Sequence, residues 1–292
     1  MSRSIERAHG WGIPVPDDPT QVIYVWFDAL TNYISALDYG TRGDLYDQWW
    51  TRADERIHVV GKGITRFHAV YWPAFLLSAG EPIPSRIQVH PYLSINGTKI
   101  SKCSGSQVQP TELARDFGSD AFRWWIAADV AATSDTDFTI ERLTSRANET
   151  LANGLGNAVN RITTLRHRHR SIGTTTSQIA TEPLPRFAAL EAEVTVALAD
   201  FDRRGASERI IESINSLNRH IETTEPWKLA RTPAAAAQLN DLLETYLACL
   251  RHIARTIEPI TPELSRRAID QLDSDPANEP QPVYTRLDPG TI

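Results

Sequence analysis

The chain has 292 residues, of which 41% are apolar, so it can bury a packed core and is not a disordered protein. Its 30 basic and 36 acidic residues give a formal net charge of −6, which excludes a general nucleic-acid coat or a basic membrane-surface protein. That charge still allows a specific RNA surface on one face.

Two cysteines, Cys103 and Cys249, are too few for a disulfide framework or a zinc knuckle. They indicate a reducing, cytoplasmic location, and no protein-bound metal is predicted. The longest apolar run, residues 69–79, contains Pro73 and is too short to span a bilayer, so no membrane partner is expected.

The first 90 residues alternate between β-rich apolar runs and segments with helical spacing. In chain order these are 22–27, 30–50, 57–60, 66–78 and 86–90. The order strand, helix, strand, helix, strand predicts parallel βαβ units, and the continuous apolar runs predict a sheet covered on both faces. Turn residues at 10–19 lead straight into the first strand, so we expect the chain to begin inside a domain.

After about residue 140 the pattern predicts helices only. Apolar residues recur at steps of three and four over 143–165, 210–221 and 239–257. A shorter helix is predicted from Pro262, with Thr261 as its N-cap. We therefore expect a partial α/β domain, a connecting segment, a helical domain and a loose tail, at 1–115, 116–140, 141–272 and 273–292.

Polar and aromatic residues lie at the carboxyl end of each predicted strand. They are Trp26 and Asp28, then Gly61, Lys62 and Gly63, then His90 and Tyr92. Ligands of parallel sheets bind beyond the carboxyl ends of the strands, so the three groups predict one ligand crevice. Each group alone has an ordinary explanation, such as a core tryptophan or turn glycines.

The segment LSINGTKISKCSG, residues 93–105, combines a hairpin turn at Asn96-Gly97 with two lysines, Lys99 and Lys102. A lysine pair in a polar loop is usually just solvated. The alternative is a mobile loop that brings two ammonium groups to a polyphosphate.

Six fragments in this order resemble the carboxy-terminal half of the methionyl-tRNA synthetase family, which belongs to class I. They are VWFDALTNYISAL, VVGKGITRFHAVYWPAFLL, VHPYLSINGTKISKCSG, DAFRWWI, LANGLGNAVNRI and TEPWKLA, and KISKC resembles the KMSKS signature. The resemblance implies the second half of a Rossmann-like parallel sheet followed by a helical anticodon-binding bundle. It implies a cytoplasmic enzyme that activates methionine with ATP, as its Mg²⁺ complex, and transfers it to tRNA.

The resemblance also implies roles for single residues. The methionine pocket would comprise Trp26, Ala29, Tyr33, Ile64 and His68. The ATP site would comprise Gly61, His90, Leu93 and Lys102, with Lys99 and Lys102 as the catalytic lysines. Anticodon recognition would fall to Asn157, Arg161 and Trp227, of which the first two lie one helical turn apart.

The sequence also departs from the family pattern. His-Ile-Gly-His, the other class I signature, does not occur in it, and Gly63 stands where many members have an aspartate that contacts the ribose. We therefore expect activity to require an amino-terminal half, which a separate chain could carry. Two alternatives remain at this point: a tRNA-anticodon-binding module without catalysis, and an amino-acid-activating paralogue in small-molecule biosynthesis.

Overall fold

The computed structural model describes residues 2–95, 97–99, 109–169, 184–288 and 290. Internal contacts divide the chain into two compact units, Met1–Tyr92 and Leu93–Ile292. The domain limits expected from the sequence remain a prediction, and the two units are described one at a time.

Two small sheets form the strands of the first unit. Strands β1 (Ser2–Ser4), β2 (Pro14–Val15) and β3 (Asp18–Ile23) are antiparallel, in the order β1-β3-β2. Strands β4 (Ile57–Gly61) and β5 (Arg86–His90) pair in parallel, with Gly61 opposite His90. The parallel unit expected for the second and third apolar runs is therefore confirmed.

The first apolar run does not join that parallel pair, so this part of the expected topology is wrong. Its strand ends at Ile23, and helix α1 (Val25–Ala29) begins within the same apolar run. A short apolar run fits a strand and a helix equally well, and antiparallel partners at 2–4 and 14–15 capture its first part.

The single helix expected over 30–50 is also wrong. The region holds helix α2 (Asn32–Ser35), helix α3 (Asp44–Tyr46) and a π-helical turn at Asp47–Thr51. Asp38 and Arg42 adopt left-handed backbone conformations, with φ of 60° and 51°, and these break the helix between α2 and α3. The next expected helix is present as a π-helical turn at Phe67–Tyr71 that continues into α4 (Trp72–Ala79).

The core of the first unit is aromatic. Trp50, Trp72 and Tyr46 are buried with Leu30, Ile34 and Leu76. Strand β4 adds His58, which is buried with Val60 on one face of the strand, while Ile57 and Val59 on the other face are exposed. The expectation of a sheet covered on both faces is therefore not met among the described residues. His58 accepts a hydrogen bond from the indole N–H of Trp72 at 3.2 Å.

A buried carboxylate joins three parts of this unit. Glu81 accepts hydrogen bonds from the hydroxyls of Tyr39, at 3.0 Å, and Tyr46. It also pairs with Arg42 at 2.8 Å. The Tyr46 hydrogen bond is the largest of several contacts that lower the pKa of Glu81. A buried charge with this many donors fixes the turn region that replaces the expected long helix.

The second unit is mainly helical. Its strands are β6 (Leu93–Ile95), β7 (Thr98–Lys99) and β8 (Thr136–Phe138), in the order β7-β6-β8. Its helices are α5 (Pro110–Phe117), α6 (Ser119–Asp129), α7 (Ile140–Ala147), α8 (Asn157–Arg168), α9 (Leu190–Ala199), α10 (Arg203–Thr224), α11 (Pro226–Leu229), α12 (Ala236–Thr256) and α13 (Pro262–Asp273). None of the helices in the described ranges is long and apolar enough to cross a membrane.

Helices α7 and α8 are joined without a break by a π-helical stretch, Asn148–Gly156. The apolar positions expected to face the core are buried there: Leu143, Ala147, Leu151, Leu155, Ala158 and Ile162. A Cβ at Gly154 would lie 3.1 Å from Ile214, and one at Gly156 would lie 2.8 Å from the carbonyl of Leu151. Gly154 therefore allows α10 to pack closely on this helix, whereas Gly156 fits the backbone of the π-helical stretch itself.

The N-terminus of α13 is capped from a distant part of the chain. Thr261 precedes the helix as expected, but its side chain makes no capping hydrogen bond. Instead the backbone N–H of Leu264 donates to the buried carboxylate of Asp120, on α6, at 2.6 Å. Burial raises the pKa of Asp120. This cap ties α13 to α6 across 144 residues of sequence.

The segment after α13 is expected from its composition to be a loose tail, but its described residues contact the bundle. The side-chain amide of Asn148 donates to the carbonyl of Leu287 at 2.8 Å and accepts from its N–H at 2.7 Å. Val283 is buried, and the imidazole of His167 lies 2.9 Å from the carbonyl oxygen of Pro276. Prolines and acids are typical of loose segments, but these contacts hold this one against the helices.

We predict that Glu81→Gln lowers the free energy of unfolding by about 3 kcal/mol at pH 7, because charge-assisted hydrogen bonds are lost inside the protein. The folded pKa of Glu81 lies below its ordinary value of 4.5, so its contribution is complete above pH 4.5 and disappears as the pH falls through the folded pKa. Urea unfolding at several pH values measures both effects. Glu55→Gln, at an exposed position, is the control and should change little.

We predict that His58 stays neutral well below pH 6.5, because burial, and secondarily the nearby His68, lower its pKa to about 4. Between pH 6.5 and 4 the unfolded chain takes up a proton at this position and the folded chain does not. Stability should therefore fall by up to about 1.4 kcal/mol for each pH unit in that window. An NMR titration of the imidazole measures the pKa directly, and a midpoint near 6.5 would contradict the prediction. His58→Gln should remove this part of the pH dependence.

Candidate functional site

Three of the five residues predicted for the methionine pocket meet in the first unit. The hydroxyl of Tyr33 lies 2.9 Å from Nε2 of His68, and the Trp26 indole packs edge-on against the same imidazole, with ring centroids 5.8 Å apart. Phe67 extends this group, because its ring stacks on that of Trp26 with centroids 4.4 Å apart. We call Trp26, Tyr33, Phe67 and His68 the aromatic cluster.

The tautomer of a neutral His68 ring follows from its two hydrogen-bond partners. Nδ1 lies 2.9 Å from the carbonyl oxygen of Ile64, which can only accept, so Nδ1 carries the proton. Nε2 is then free to accept from Tyr33. Burial raises the pKa of Tyr33, which keeps its hydroxyl protonated and able to donate. The cluster is thus an aromatic surface with one polar edge, the kind of surface that suits a thioether side chain.

The other two predicted pocket residues, Ile64 and Ala29, are close in the chain to members of the aromatic cluster. Ile64 contributes its carbonyl to His68 and is half-buried. Ala29 is the last residue of α1 and is exposed, one turn after Trp26. Trp26 and Asp28 therefore lie on a helix and not at the end of a parallel strand, which corrects one of the three groups expected to form the crevice.

The two remaining groups do follow neighbouring parallel strands. Gly61 ends β4, and a Cβ there would lie 3.5 Å from the His90 ring at the end of β5. The imidazole Nδ1 of His90 lies 3.0 Å from the carbonyl oxygen of Pro91. Two of the residues expected to approach ATP are thus adjacent at one edge of the parallel pair.

Gly63 is matched to a neighbouring side chain. Any Cβ at this position would collide with the hydroxyl of Tyr92. The ammonium group of Lys62 lies over the Tyr92 ring, 4.8 Å from its centroid. The space beside Gly63 is therefore taken by a phenol with a lysine above it, so the glycine fits its surroundings.

The predicted residues of the lysine loop belong to the second unit. Leu93 begins β6 and is half-buried against the helical core. The backbone of Lys99 ends β7, which pairs antiparallel with β6 through Ser94 and Ile95, so the expected hairpin is present. Lys102 lies outside the described residues, and the two catalytic assignments stay predictions.

The anticodon assignment rests on three residues of the second unit. The guanidinium of Arg161, on α8, lies over the Trp227 ring of α11, 5.3 Å from its centroid. Arg161 also pairs with Glu222 of α10 at 3.9 Å. Asn157 is exposed one turn before Arg161 on the same helix. The structure therefore joins Arg161 and Trp227 directly and leaves Asn157 beside them on α8.

Sequence reasoning missed several neighbours of these residues. Phe67 belongs to the aromatic cluster, His58 contacts it with its ring 4.3 Å from that of Tyr33, and Glu222 pairs with Arg161. Alternation along β4 could have identified His58, because it shares its face with Val60. Across the described ranges no group of three His, Cys, Asp or Glu residues could hold a metal ion.

Comparisons with known proteins point to one family. The family model for tRNA synthetases class I (M) matches residues 1–163, more than half of the chain. Methionine–tRNA ligase of Thermotoga maritima is 34% identical over 288 residues, which are 96% of this chain and 45% of that protein. The ligase of Rickettsia felis is 36% identical over 269 residues, which are 90% of this chain and 52% of that protein.

A solved structure agrees with these sequences. Mycobacterium tuberculosis methionyl-tRNA synthetase bound by methionyl-adenylate matches with a TM-score of 0.72 and 32% identity, over 100% of this chain and 58% of that one. The chain thus spans about half the length of the curated relatives it matches. With the family model matched over residues 1–163, these findings show that the chain belongs to the methionyl-type class I tRNA synthetases.

Proposed function

We propose that this chain takes part in ATP-dependent activation of methionine and its transfer to tRNA. The observation that carries the proposal is the aromatic cluster, in which Trp26, Tyr33 and His68 make direct contacts although 35 residues separate the last two. The matching relative from Mycobacterium tuberculosis was solved with methionyl-adenylate bound to it. A thioether against Trp26 and His68 is the chemistry that this surface accommodates.

The reaction we propose is adenylate formation. The carboxylate of methionine attacks the α-phosphorus of ATP, which enters as its Mg²⁺ complex, and pyrophosphate leaves. The protein needs no covalent nucleophile, because placement of the two substrates and stabilisation of phosphate charge supply the rate. In this proposal Gly61, His90 and Leu93 approach the nucleotide, and Lys99 and Lys102 stabilise charge on the phosphates.

We also propose that a further polypeptide segment covers the first unit. Val59 is 61% exposed on β4, and other large apolar side chains of the unit are similarly exposed, including Trp11, Val25, Trp49, Val70 and Leu77. Apolar side chains exposed together in one patch are typical of an interface, and the proposal takes these side chains to form one. A segment that carries His-Ile-Gly-His, supplied by an amino-terminal half, would cover such a surface and complete the nucleotide site.

For the second unit we propose recognition of the methionine anticodon by Asn157, Arg161 and Trp227. An aromatic ring beside a guanidinium and an amide is what unpaired, splayed bases require. The cation–π contact between Arg161 and Trp227 supports this assignment. The partners in this proposal are a methionine-type tRNA, methionine and ATP.

We predict methionine-dependent exchange of pyrophosphate into ATP when this chain is mixed with an amino-terminal half from a methionyl-type relative. Lys102→Ala should reduce the exchange rate by about 100-fold, because a donor to developing charge is lost. Lys228→Ala, on α11, is the matched lysine control and should leave the rate unchanged. If the mixture shows no exchange but the chain binds tRNA, the catalytic proposal fails and the alternative of a binding module stands. Exchange with another amino acid but not with methionine would favour the paralogue.

We predict that the chain binds transcripts of methionine tRNA in preference to the same tRNA with an altered anticodon. Trp227→Ala should weaken binding by about tenfold or more, since a stacked base contributes about 1–3 kcal/mol. Fluorescence anisotropy with labelled tRNA measures the dissociation constants. Trp11→Ala removes an exposed tryptophan of the first unit and serves as the control. Equal affinity for both anticodons would contradict the assignment.

A further inference from the structure

One buried hydroxyl holds the last turn of α10. Tyr246, on α12, is fully buried, and its hydroxyl lies 2.9 Å from Nδ1 of His220 and 2.5 Å from the hydroxyl of Thr224. Thr224 itself donates to the carbonyl of His220 at 2.8 Å. In one consistent arrangement His220 donates to Tyr246 and Tyr246 donates to Thr224, so every donor is used once.

The residues that follow this turn carry Trp227. Helix α10 ends at Thr224, and Glu225 adopts a left-handed conformation with φ of 45° that directs the chain into α11. Pro226 is buried at the start of α11, and Trp227 comes next. Because Trp227 follows Thr224 so closely in the chain, the place where α10 ends sets the place of the indole ring.

The same turn also carries the partner of Arg161. Glu222 pairs with Arg161 at 3.9 Å, and both side chains are partly or largely exposed. An ion pair whose acidic partner is largely exposed holds a side chain only weakly. The hydrogen bonds of Tyr246 start from a fully buried side chain, where an unmade hydrogen bond costs more. Tyr246 therefore restrains this turn more firmly than the ion pair does, and it acts together with the packing of Trp227 against the helical core.

We propose that Tyr246 is a positioning residue for tRNA recognition: its hydroxyl fixes the end of α10 so that Arg161 and Trp227 present one surface to the anticodon. This inference rests on the proposed function of the second unit. Because Tyr246 is buried, it acts without touching the tRNA. A phenylalanine at this position would keep the packing but would leave Thr224 and His220 without their shared partner.

The test compares Tyr246→Phe and Thr224→Val with the unchanged chain. Each variant should weaken binding of methionine tRNA about fivefold, in line with the loss of one buried hydrogen bond, and should reduce discrimination against an altered anticodon. The double variant should lose less affinity than the two single losses combined, since both substitutions remove the bond between Tyr246 and Thr224. Thr256→Val is the control, because it removes a buried hydroxyl from the far end of α12.

A spectroscopic readout separates positioning from general stability. In a chain labelled with 5-fluorotryptophan, the ¹⁹F resonance that is missing from Trp227→Phe identifies Trp227 among the eight tryptophans. That resonance should shift in Tyr246→Phe and Thr224→Val and stay in place in Thr256→Val. Thr224→Val keeps the test decisive if Tyr246→Phe fails to fold.

The outcomes distinguish the two proposals. If Trp227→Ala leaves tRNA binding unchanged, the anticodon assignment itself fails and this inference fails with it. If Trp227→Ala weakens binding while Tyr246→Phe and Thr224→Val keep both the affinity and the resonance of the unchanged chain, the inference alone is overturned. A shifted resonance together with weakened, less selective binding supports it.

Discussion

Burial of one apolar stripe along the continuous helix at 140–168 determines the arrangement of the second unit. An amphipathic helix buries its apolar face and leaves its polar face in solvent, and each buried leucine or isoleucine contributes about 1.5–3 kcal/mol. Ala158 and Ile162 face the core. Asn157 and Arg161 each come one residue earlier on the helix, so they lie outside the buried face and remain accessible to solvent. Gly154 brings α10 close to the same helix, and with α10 come Glu222 and the turn to Trp227. The surface assigned to tRNA is thus a consequence of how the core packs.

The sequence predicted this helical unit well and the first unit poorly, for a physical reason. Helical periodicity over more than 20 residues is unambiguous, and the buried positions agree with it from Leu143 to Ile162. In the first unit the runs are short, so VIYVWF could be a strand or a helix and proves to contain parts of both. Left-handed residues such as Asp38 broke a helix that its apolar spacing favoured. A helix cap supplied by a distant residue cannot be predicted from the sequence around the helix. Asp120, which caps α13, is such a residue.

The candidate site was predictable in its residue types but not in its contacts. Family resemblance pointed to Tyr33 and His68, yet nothing local indicates that they share a hydrogen bond, because a π-helical turn sets the direction of the histidine. His58 was missed because IHVV was interpreted as a continuous apolar run covered on both faces, although in an alternating strand His58 shares the buried face with Val60. The fit between Gly63 and Tyr92 could not be seen either, since it depends on the pairing of β4 with β5.

The contact between Arg161 and Trp227 bears on how a base could bind. The guanidinium covers one side of the indole, so a base that stacks there must first displace it. A cation–π contact contributes about 0.5–2 kcal/mol, more as it is withdrawn from water, and an ion pair with a largely exposed partner such as Glu222 about 0–1 kcal/mol. Base stacking on an aromatic ring contributes about 1–3 kcal/mol. These energies are similar in size, so in the proposed complex the contact can open for a base when the displaced arginine regains a partner on the nucleic acid.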